Sequence, residues 1–302
     1  MSLRLTFVSR VSISEAMGRA GRGKRAGKQA KTLAERADRH RLYEAAVQDT
    51  ESEVRFVSRT FSKLRGRKAL TLREGFSGTS KLCLTWVQSD RQRRAWGIDL
   101  DGPTLDWGRV NHLEPAEADC AARVELVETN VLAHVKPKVD IALGFNFSYF
   151  CFKSREQLRK YFVAAFSGLN EDGVLFLDCY GGTEVPKADE EAREVELDNG
   201  STVTYRWVHD SFNPINHDLQ AHIAFDFDDG STLDPAFHYD WRHWSLPEIR
   251  ELLMEAGFTK VHVYWEIEDD QGEGTGRFRD ATDGENEGIW WVFIAAEREP
   301  KP

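Results

Sequence analysis

Four short polar stretches of the sequence could bind a ligand, because each one directly follows an apolar run that has the character of a buried strand. The first covers residues 74–80, EGFSGTS, in which an acid precedes Gly, Ser and Thr. The other three are centred on Asp99, Asn130 and Asn146. Ligands of open α/β sheets bind outside the carboxyl ends of the parallel strands. We therefore expect the four stretches to converge on one edge of a sheet.

The residue types in these stretches suit a nucleoside. A carboxylate at the end of the second strand, here Asp99, can accept hydrogen bonds from both hydroxyls of a ribose. The amide of Asn130 offers the donors and acceptors that an adenine edge requires. Ser77 and Gly78 are small enough to let the backbone approach a ligand closely. Structural alternatives stay open for Asp99, as a surface or helix-capping acid, and for Asn130, because Asn is common in turns.

Neither the cysteines nor the histidines predict a metal site. The four cysteines lie far apart, and no pair has CxxC spacing. His217 and His222 are five residues apart, as are His238 and His243, so that on a strand each pair would point to opposite faces. We expect reduced, mostly buried thiols, as is usual in a cytoplasmic protein.

Strand-like and helix-like segments alternate between about residue 68 and residue 182, after two helical patterns in residues 32–65. The strand-like segments are apolar throughout, which argues for a parallel sheet that helices cover on both faces. The sequence therefore predicts an α/β fold. The predicted strands are KALTL, RAWGIDL, RVELVE, VDIALGF and VLFLDCY, and the best-marked helix begins at Ser154.

The alternation ends at about residue 182. Three strand-like segments follow without a helix between them, STVTYRWV, DLQAHIAFDF and STLDPAFHYDW, separated by the turn signals NPIN and DDGS. We expect residues 183–243 to form an antiparallel insertion. Ser245 and Glu248 then make a capping box for a helix, and KVHVYWE and IWWVFIAAE are two further strands. Between these strands, residues 266–288 are expected to form an acidic, glycine-rich loop.

Charge is distributed unevenly along the chain. The formal net charge is −10, yet residues 1–40 carry ten Lys and Arg against three acids, and the rest carries 30 against 47. A body this acidic binds phosphate backbones poorly, so we expect no nucleic-acid partner. The basic residues 1–31 lack apolar periodicity and are expected to be a disordered tail. No apolar run approaches the roughly 18 residues that span a bilayer, and no membrane partner is expected.

Taken in order along the chain, the four stretches resemble the class I S-adenosylmethionine-dependent methyltransferases. The first motif of that family is an acid followed by glycines at alternate positions. Glu74 matches the acid and Gly78 the central glycine, whereas Phe76 and Ser80 replace the first and last glycines. We expect Gly75 to make the tight turn one residue early. Phe76 would then sit beside the cofactor or anchor the loop on the sheet.

A dinucleotide-binding fold is the main alternative for a loop of this kind. It needs three glycines and a pyrophosphate bound at the helix N-terminus. The loss of two glycines harms a pyrophosphate site more than a site for a sulfonium cofactor, which has no phosphate. The departures from the glycine pattern thus favour a methyltransferase over a dehydrogenase.

The resemblance covers about residues 40–182 and 241–297. It implies S-adenosylmethionine as the cofactor and a Rossmann-like, mostly parallel twisted sheet flanked by helices, formed by residues 32–182 and 244–302. The antiparallel insertion at 183–243 would then act as a substrate lid. The residues implied to bind the cofactor are Glu74, Gly75, Phe76, Ser77, Gly78, Thr79, Asp99, Leu100, Asn130, Val131 and Asn146.

The implied reaction is methyl transfer from S-adenosylmethionine to a small-molecule acceptor, by in-line attack on the sulfonium methyl. Such a reaction requires mainly positioning and the exclusion of water. Arg242 would clamp a substrate carboxylate with its planar guanidinium or, alternatively, pair with Asp240 or another surface acid. The residues expected to bind the acceptor are Tyr43, Phe147, Tyr149 and Arg242.

Two other functions remain open. The segment NFSY at 146–149 resembles the Asn-Pro-Pro-Tyr segment of enzymes that methylate amino groups of nucleic acids, although both prolines are missing. The basic tail could then bind RNA, which the acidic body disfavours. The altered glycine loop also fits a non-catalytic protein that binds S-adenosylmethionine or S-adenosylhomocysteine.

Overall fold

Five strands form the parallel part of a central eight-stranded sheet, as the sequence predicts, although the first lies three residues later than predicted, at Thr71–Gly75. The computed structural model describes residues 31–133, 136–187, 189–268 and 274–299. The parallel strands are β1 (Thr71–Gly75), β2 (Arg94–Asp99), β3 (Val124–Glu128), β4 (Val139–Gly144) and β5 (Leu169–Gly181). The chain runs outward from β1 to β3 and then returns to place β4 on the other side of β1. The strand order thus reverses between β1 and β4, where sheets of this kind have their ligand crevice.

Helices cover both faces of this sheet. They are α1 (Leu33–Arg36), α2 (Arg39–Val47), α3 (Thr50–Arg65), α4 (Lys81–Gln88), α5 (Gly102–Gly108), α6 (Ala118–Ala121), α7 (Arg155–Ser167) and α8 (Leu246–Ala256). Phe61 of α3 shares a core cluster with Phe176 of β5, and Phe162 of α7 shares another with Leu177. Successive strand residues point to opposite faces, so α3 and α7 lie on opposite sides.

Local sequence signals set the helix ends. The hydroxyl of Ser154 accepts a hydrogen bond from the amide of Gln157 at the start of α7 (3.2 Å). Ser245 and Glu248 make the predicted reciprocal capping box at the start of α8. One predicted helix is divided, because α5 continues directly into a π-helical turn, Arg109–Leu113.

A second, antiparallel sheet of four strands lies within residues 183–243. Its strands are β6 (Glu190–Glu196), β7 (Thr202–Phe212), β8 (Asp218–Asp226) and β9 (Thr232–Arg242), paired in that order. Sequence patterning missed β6, an edge strand of mostly charged residues in which only Val195 is buried. One face of this sheet is apolar and packs against α2, where Leu42 and Ala46 join Val203 and Phe225 in a core cluster.

Three antiparallel strands complete the central sheet beside β5. They are β10 (Lys260–Glu268), β11 (Gly274–Asp280) and β12 (Trp290–Glu297), and the order from β5 outward is β12, β10, β11. The expectation of a loop throughout residues 266–288 is wrong, because β11 forms there and pairs with β10. The reason is Phe278, whose ring packs against Phe293 at 4.9 Å and Phe56 at 5.4 Å between ring centroids.

Residues 1–30, which make up nearly all of the predicted basic tail 1–31, lie outside the described residues. Within the ranges that the structure describes, no helix is long and apolar enough to cross a membrane.

Candidate active site

The loop of residues 74–80, here called the cofactor loop after its predicted role, has a left-handed backbone of the kind that glycine favours, although two of the family's glycines are replaced. The backbone is left-handed at Phe76 (φ 57°), Gly78 (φ 53°) and Ser80 (φ 58°). The expectation that Gly75 makes the turn is wrong, since Gly75 ends β1 and Phe76 itself turns the chain. A left-handed residue with a side chain costs about 1–2 kcal/mol. Packing of the Phe76 ring against Phe152 and Tyr161, at 5.9 and 5.4 Å, offsets that cost.

Asp99 joins the cofactor loop to the start of α5. One of its carboxylate oxygens accepts a hydrogen bond from the amide of Gly78 (2.7 Å), and the other accepts one from the amide of Asp101 (2.9 Å). The amide of Ser77 donates to the carbonyl of Ile98 (3.0 Å), so the loop folds back over the end of β2. A carboxylate has about four acceptor positions, and Asp99 therefore retains capacity for further donors.

The ends of β2 and β3 supply the next three predicted cofactor residues. Leu100 is 67% exposed and presents an apolar surface directly after Asp99. The side-chain oxygen of Asn130 accepts a hydrogen bond from the amide of Leu132 (2.9 Å), which makes it a turn residue, while its side-chain nitrogen makes no hydrogen bond within the described residues. Val131 lies against the end of β1, because a Cβ built on Gly75 would be 3.4 Å from its Cγ1.

The segment after β4 turns sharply through two consecutive left-handed residues, Asn146 (φ 58°) and Phe147 (φ 54°). The carboxylate of Asp178 on β5 holds this turn, since it accepts hydrogen bonds from the amides of Asn146 (2.7 Å) and Phe147 (2.9 Å). Burial raises the pKa of Asp178 to about 7, although both amides favour its charged form. The sequence pattern did not single out Asp178, which lies inside an apolar strand.

Two residues predicted to bind the acceptor are held elsewhere. Tyr149 is fully buried, and its hydroxyl donates to the backbone carbonyl of Asp178 (2.6 Å), so it does not reach across the cleft. Arg242 stacks over the ring of Trp244 at 3.7 Å and forms an ion pair with Glu248 (2.9 Å). The contacts of Arg242 therefore match the alternative prediction, an ion pair with an acid of the protein. They do not match the prediction that Arg242 clamps a substrate carboxylate.

The other two, Tyr43 and Phe147, lie at an aromatic surface between the two sheets. Three rings of the antiparallel sheet contact one another, with centroid distances of 5.2 Å for Trp207 and Tyr239 and 4.5 Å for Tyr239 and Trp241. Tyr43 of α2 packs against the same core cluster as Trp207 and Tyr239, with its ring 5.1 Å from that of Phe237, and the ring of Phe147 lies 6.5 Å from that of Trp241. We call Tyr43, Trp207, Tyr239 and Trp241 the aromatic wall.

Buried carboxyl groups surround the carboxyl ends of β1, β4 and β5. Glu74 is buried and accepts a hydrogen bond from the thiol of Cys83 (3.2 Å). Burial raises the pKa of Glu74 to about 8, although the hydrogen bond from the Cys83 thiol favours the charged carboxylate and acts in the opposite direction. Glu53, in the first turn of α3, is also buried, and the pKa of its carboxyl group is raised well above the usual value by burial and then by Glu74 and Asp178. A cationic ligand at this edge would favour the charged forms of these carboxyl groups, which burial disfavours.

Helix α2 is fastened to the cofactor loop. The Glu44 carboxylate accepts a hydrogen bond from the hydroxyl of Thr79 (2.6 Å) and contacts Nε2 of His112 at 2.6 Å. Burial by itself would raise the pKa of Glu44, but these two partners outweigh it and leave the pKa below its usual value. Asp38, which caps α2, accepts a hydrogen bond from the indole of Trp107 (2.8 Å). Thr79 therefore positions α2, and through it Tyr43.

No protein-family model matches the sequence, and no curated protein matches it either. Solved structures do match. An S-adenosylmethionine-dependent methyltransferase from Clostridium acetobutylicum aligns with a TM-score of 0.62 at 14% identity, over 86% of this chain and 97% of its own. The amino pentose methyltransferase CalS10 from Micromonospora echinaspora, with S-adenosylmethionine bound, gives 0.60 at 14% identity, over 90% and 99%. The sugar N-methyltransferase KedS8 from Streptoalloteichus gives 0.56 at 14% identity, over 94% and 100%.

The chain has the fold of the S-adenosylmethionine-dependent methyltransferases. This confirms the Rossmann-like architecture that the sequence resemblance implied. Within the methyltransferase fold, the structure brings the cofactor loop, Asp99, Leu100, Asn130 and Asn146 to the carboxyl edge of the parallel strands.

Sequence reasoning missed several residues at this edge of the methyltransferase fold. Glu44 and Glu53 lie on helices outside the strand-end stretches, and their acidic character is unremarkable in an acidic chain. Gly108 is a further example, because a Cβ there would lie 2.1 Å from the carbonyl oxygen of Thr79. A polar residue on the inward face of an amphipathic helix was the signal that could have identified Glu53.

Proposed function

We propose that this protein is an enzyme that transfers a methyl group from S-adenosylmethionine to a small-molecule acceptor. The observation that carries the proposal is the left-handed backbone at Phe76, Gly78 and Ser80, which preserves a cradle-shaped loop although two glycines are replaced. A Cβ built on Gly78 would meet no atom within 4 Å, so the outer side of the loop is open to a ligand.

The chemistry of the surrounding residues fits this cofactor. Asp99 would accept the ribose hydroxyls with its remaining lone pairs, and Leu100 would offer its exposed apolar surface to the adenine. Asn130 and Val131 would border the base, and Asn146 would lie beside the reactive end. A sulfonium is cationic, and a cation bound here would favour the charged forms of the Glu74, Glu53 and Asp178 carboxyl groups, which burial otherwise disfavours. The bound cofactor supplies an electrophilic methyl group.

The acceptor would bind between Phe147 and the aromatic wall, with the antiparallel insertion as its lid. Two solved neighbours are named for amino pentose and sugar methylation, which supports a small acceptor. The net charge of −10 argues against a nucleic-acid substrate. All four cysteines are free thiols, and we infer a cytoplasmic site of action from them.

Calorimetric titration with S-adenosylmethionine and S-adenosylhomocysteine tests the cofactor. Both should bind, and Asp99→Ala should weaken binding by roughly 1–3 kcal/mol because it removes a charged acceptor. Asp106→Ala is the matched control, since Asp106 is an exposed acid on the adjacent α5. Methyl transfer from labelled cofactor then separates an enzyme from a non-catalytic binder. A flat titration with both ligands in the native protein contradicts the proposal.

A further inference from the structure

The turn that follows β4 has two consecutive non-glycine residues with a left-handed backbone. They are Asn146 (φ 58°) and Phe147 (φ 54°). Asn tolerates this conformation better than most residues do, but for Phe the side chain makes it sterically costly. Strained backbone of this kind persists only where the surrounding structure imposes it, and it is concentrated at functional sites. The turn therefore requires a structural cause and points to a use.

Asp178 of β5 provides the structural cause. One oxygen of its carboxylate accepts a hydrogen bond from the amide of Asn146 (2.7 Å), and the other accepts one from the amide of Phe147 (2.9 Å). Its backbone carbonyl accepts a third, from the hydroxyl of Tyr149 (2.6 Å). Asp178 is 3% exposed, and a carboxylate buried to this extent needs such donors. A single residue of β5 thus fixes three of the four residues at 146–149.

The turn leaves the polar group of Asn146 uncommitted. The residue is half-buried, and its side-chain amide makes no hydrogen bond within the ranges that the structure describes, although its backbone amide is bound by Asp178. The ring of Phe147 packs against that of Tyr180, with centroids 4.6 Å apart, and lies 6.5 Å from the ring of Trp241 in the aromatic wall. The same turn therefore presents a free amide and contacts the antiparallel sheet.

The register of the central sheet brings this turn to the cofactor loop. Leu143 of β4 is the register partner of Glu74 of β1, and Asn146 follows Leu143 by three residues. Neighbouring strands of a sheet lie about 4.8 Å apart. The turn and the cofactor loop therefore leave the same edge of the sheet side by side, at the point where the strand order reverses. A ligand that binds in the crevice at this point lies within reach of Asn146.

We propose that Asp178 is a positioning residue for methyl transfer, because its carboxylate fixes the turn that presents the Asn146 amide to the cationic end of S-adenosylmethionine. The inference rests on the proposed methyltransferase function. The uncommitted amide oxygen of Asn146 carries partial negative charge and therefore attracts a positive centre. Asp178 acts through the turn and needs no contact with the cofactor itself. An error of about 1 Å in the placement of such a group can slow a reaction by about 10²-fold, which gives the strained turn a use.

Calorimetric titration with two cofactor analogues tests this inference and needs no acceptor. Sinefungin carries an ammonium group where S-adenosylmethionine carries its sulfonium methyl, whereas S-adenosylhomocysteine has a neutral sulfur there. In Asp178→Asn, the new side chain can accept from one amide of the turn but presents an NH₂ donor to the other. This variant should bind sinefungin about tenfold more weakly than the native protein does, which corresponds to the loss of one hydrogen bond to a charged group, and should bind S-adenosylhomocysteine within about twofold of the native affinity.

A second background separates positioning from a general structural role. Asn146→Gly removes the amide and adopts the left-handed backbone freely, so it should lower the affinity for sinefungin by the same factor. If Asp178 acts through Asn146, the addition of Asp178→Asn to that background should cause no further loss. A merely structural role of Asp178 would weaken sinefungin binding equally in both backgrounds.

Asp140→Asn is the matched control. Asp140 is also buried, and one of its oxygens accepts hydrogen bonds from the backbone amides of Leu70 (2.8 Å) and Thr71 (3.2 Å), but at the opposite edge of the same sheet. The control variant should unfold at a lower temperature and keep the native ratio of the two affinities. Asp178→Glu, which keeps the charge and moves it by one methylene, repeats the test if Asp178→Asn does not fold.

If the native protein does not bind S-adenosylhomocysteine, the proposed function fails. If it binds, three results overturn only the positioning role of Asp178. The first is native affinity for sinefungin in the Asp178 variants or in Asn146→Gly. The second is an equal loss of affinity for both analogues in the Asp178 variants, and the third is the same effect of Asp178→Asn with and without the Asn146 side chain.

Discussion

At the scale of single residues, the site contains three carboxyl groups whose pKa is raised by burial, those of Glu53, Glu74 and Asp178. The pKa of Glu74 is raised to about 8 from an ordinary value of 4.5. Such a carboxyl group holds its proton more tightly in the folded chain than in the unfolded chain. The folded protein therefore loses stability as pH rises from about 4.5 to about 8.

Glu74→Gln removes this loss, because the amide does not ionise and its oxygen can still accept from Cys83. We compare the melting temperatures of this variant and of the native protein, both without ligand. The difference, variant minus native, should rise by several degrees between pH 5 and pH 8 and then level off. About 1 kcal/mol corresponds to roughly 2–4 °C in a large domain. A difference that does not change with pH would mean that Glu74 is ionised and satisfied. Glu51→Gln, which removes an exposed acid, should show no such trend.

At the scale of elements, the cofactor loop has Phe76 at a left-handed position that glycine would adopt more easily. The packing of the Phe76 ring compensates for the steric cost of that backbone conformation. Phe76→Ala and Phe76→Gly both lose the contacts with Phe152 and Tyr161, so both should be less stable than the native protein in urea unfolding. Phe76→Gly should be the more stable of the two by about 1 kcal/mol, since glycine adopts the left-handed backbone without steric cost.

Phe152 provides the matched position for this comparison, because its ring belongs to the same contact and its φ is −81°. There the order should reverse, with Phe152→Gly less stable than Phe152→Ala by about 0.4–1 kcal/mol from the entropy of the unfolded chain. The same order at both positions would show that the left-handed turn at Phe76 is not what distinguishes them.

At the scale of the whole molecule, α1 and α2 form a strap between the cofactor loop and the antiparallel sheet. The amides of Leu33 and Ala34 donate to Asp229 (2.8 Å) and Ser231 (3.1 Å) in the turn between β8 and β9. Glu44 binds Thr79 at the other end. The strap therefore links the proposed cofactor side of the site to the proposed acceptor side.

Two truncations test the strap. Deletion of residues 1–31 should leave the melting temperature and cofactor affinity unchanged, because Thr32, which caps α1, remains and the deleted segment has no apolar periodicity. Deletion of residues 1–48 keeps Asp49, the cap of α3, but removes Glu44 and Tyr43. It should lower both cofactor affinity and stability, measured by calorimetry and thermal unfolding. Equal behaviour of the two truncated proteins would show that α1 and α2 do not serve the site.

The sequence by itself determined the elements that have strong local signals. Strands β4 and β5 each contain a continuous buried run, and α7 and α8 begin at the capping residues Ser154 and Ser245. The position of the cofactor loop after β1 follows from the same periodicity. These features were predictable because they depend on residues that are close together in the chain.

Only the tertiary structure decided how the side chains are used. Tyr149 stands in a predicted ligand segment, yet its hydroxyl donates a hydrogen bond to the backbone carbonyl of Asp178, 29 residues later, inside the core. Strand β11 forms in a segment that was predicted to be an acidic loop, because Phe278 packs against Phe56 of α3 and against Phe293. Glu53 is one of 50 acids in the sequence, and it becomes distinctive only when folding buries it. Burial and partners are set by contacts between distant parts of the chain, and local patterns carry little information about those contacts.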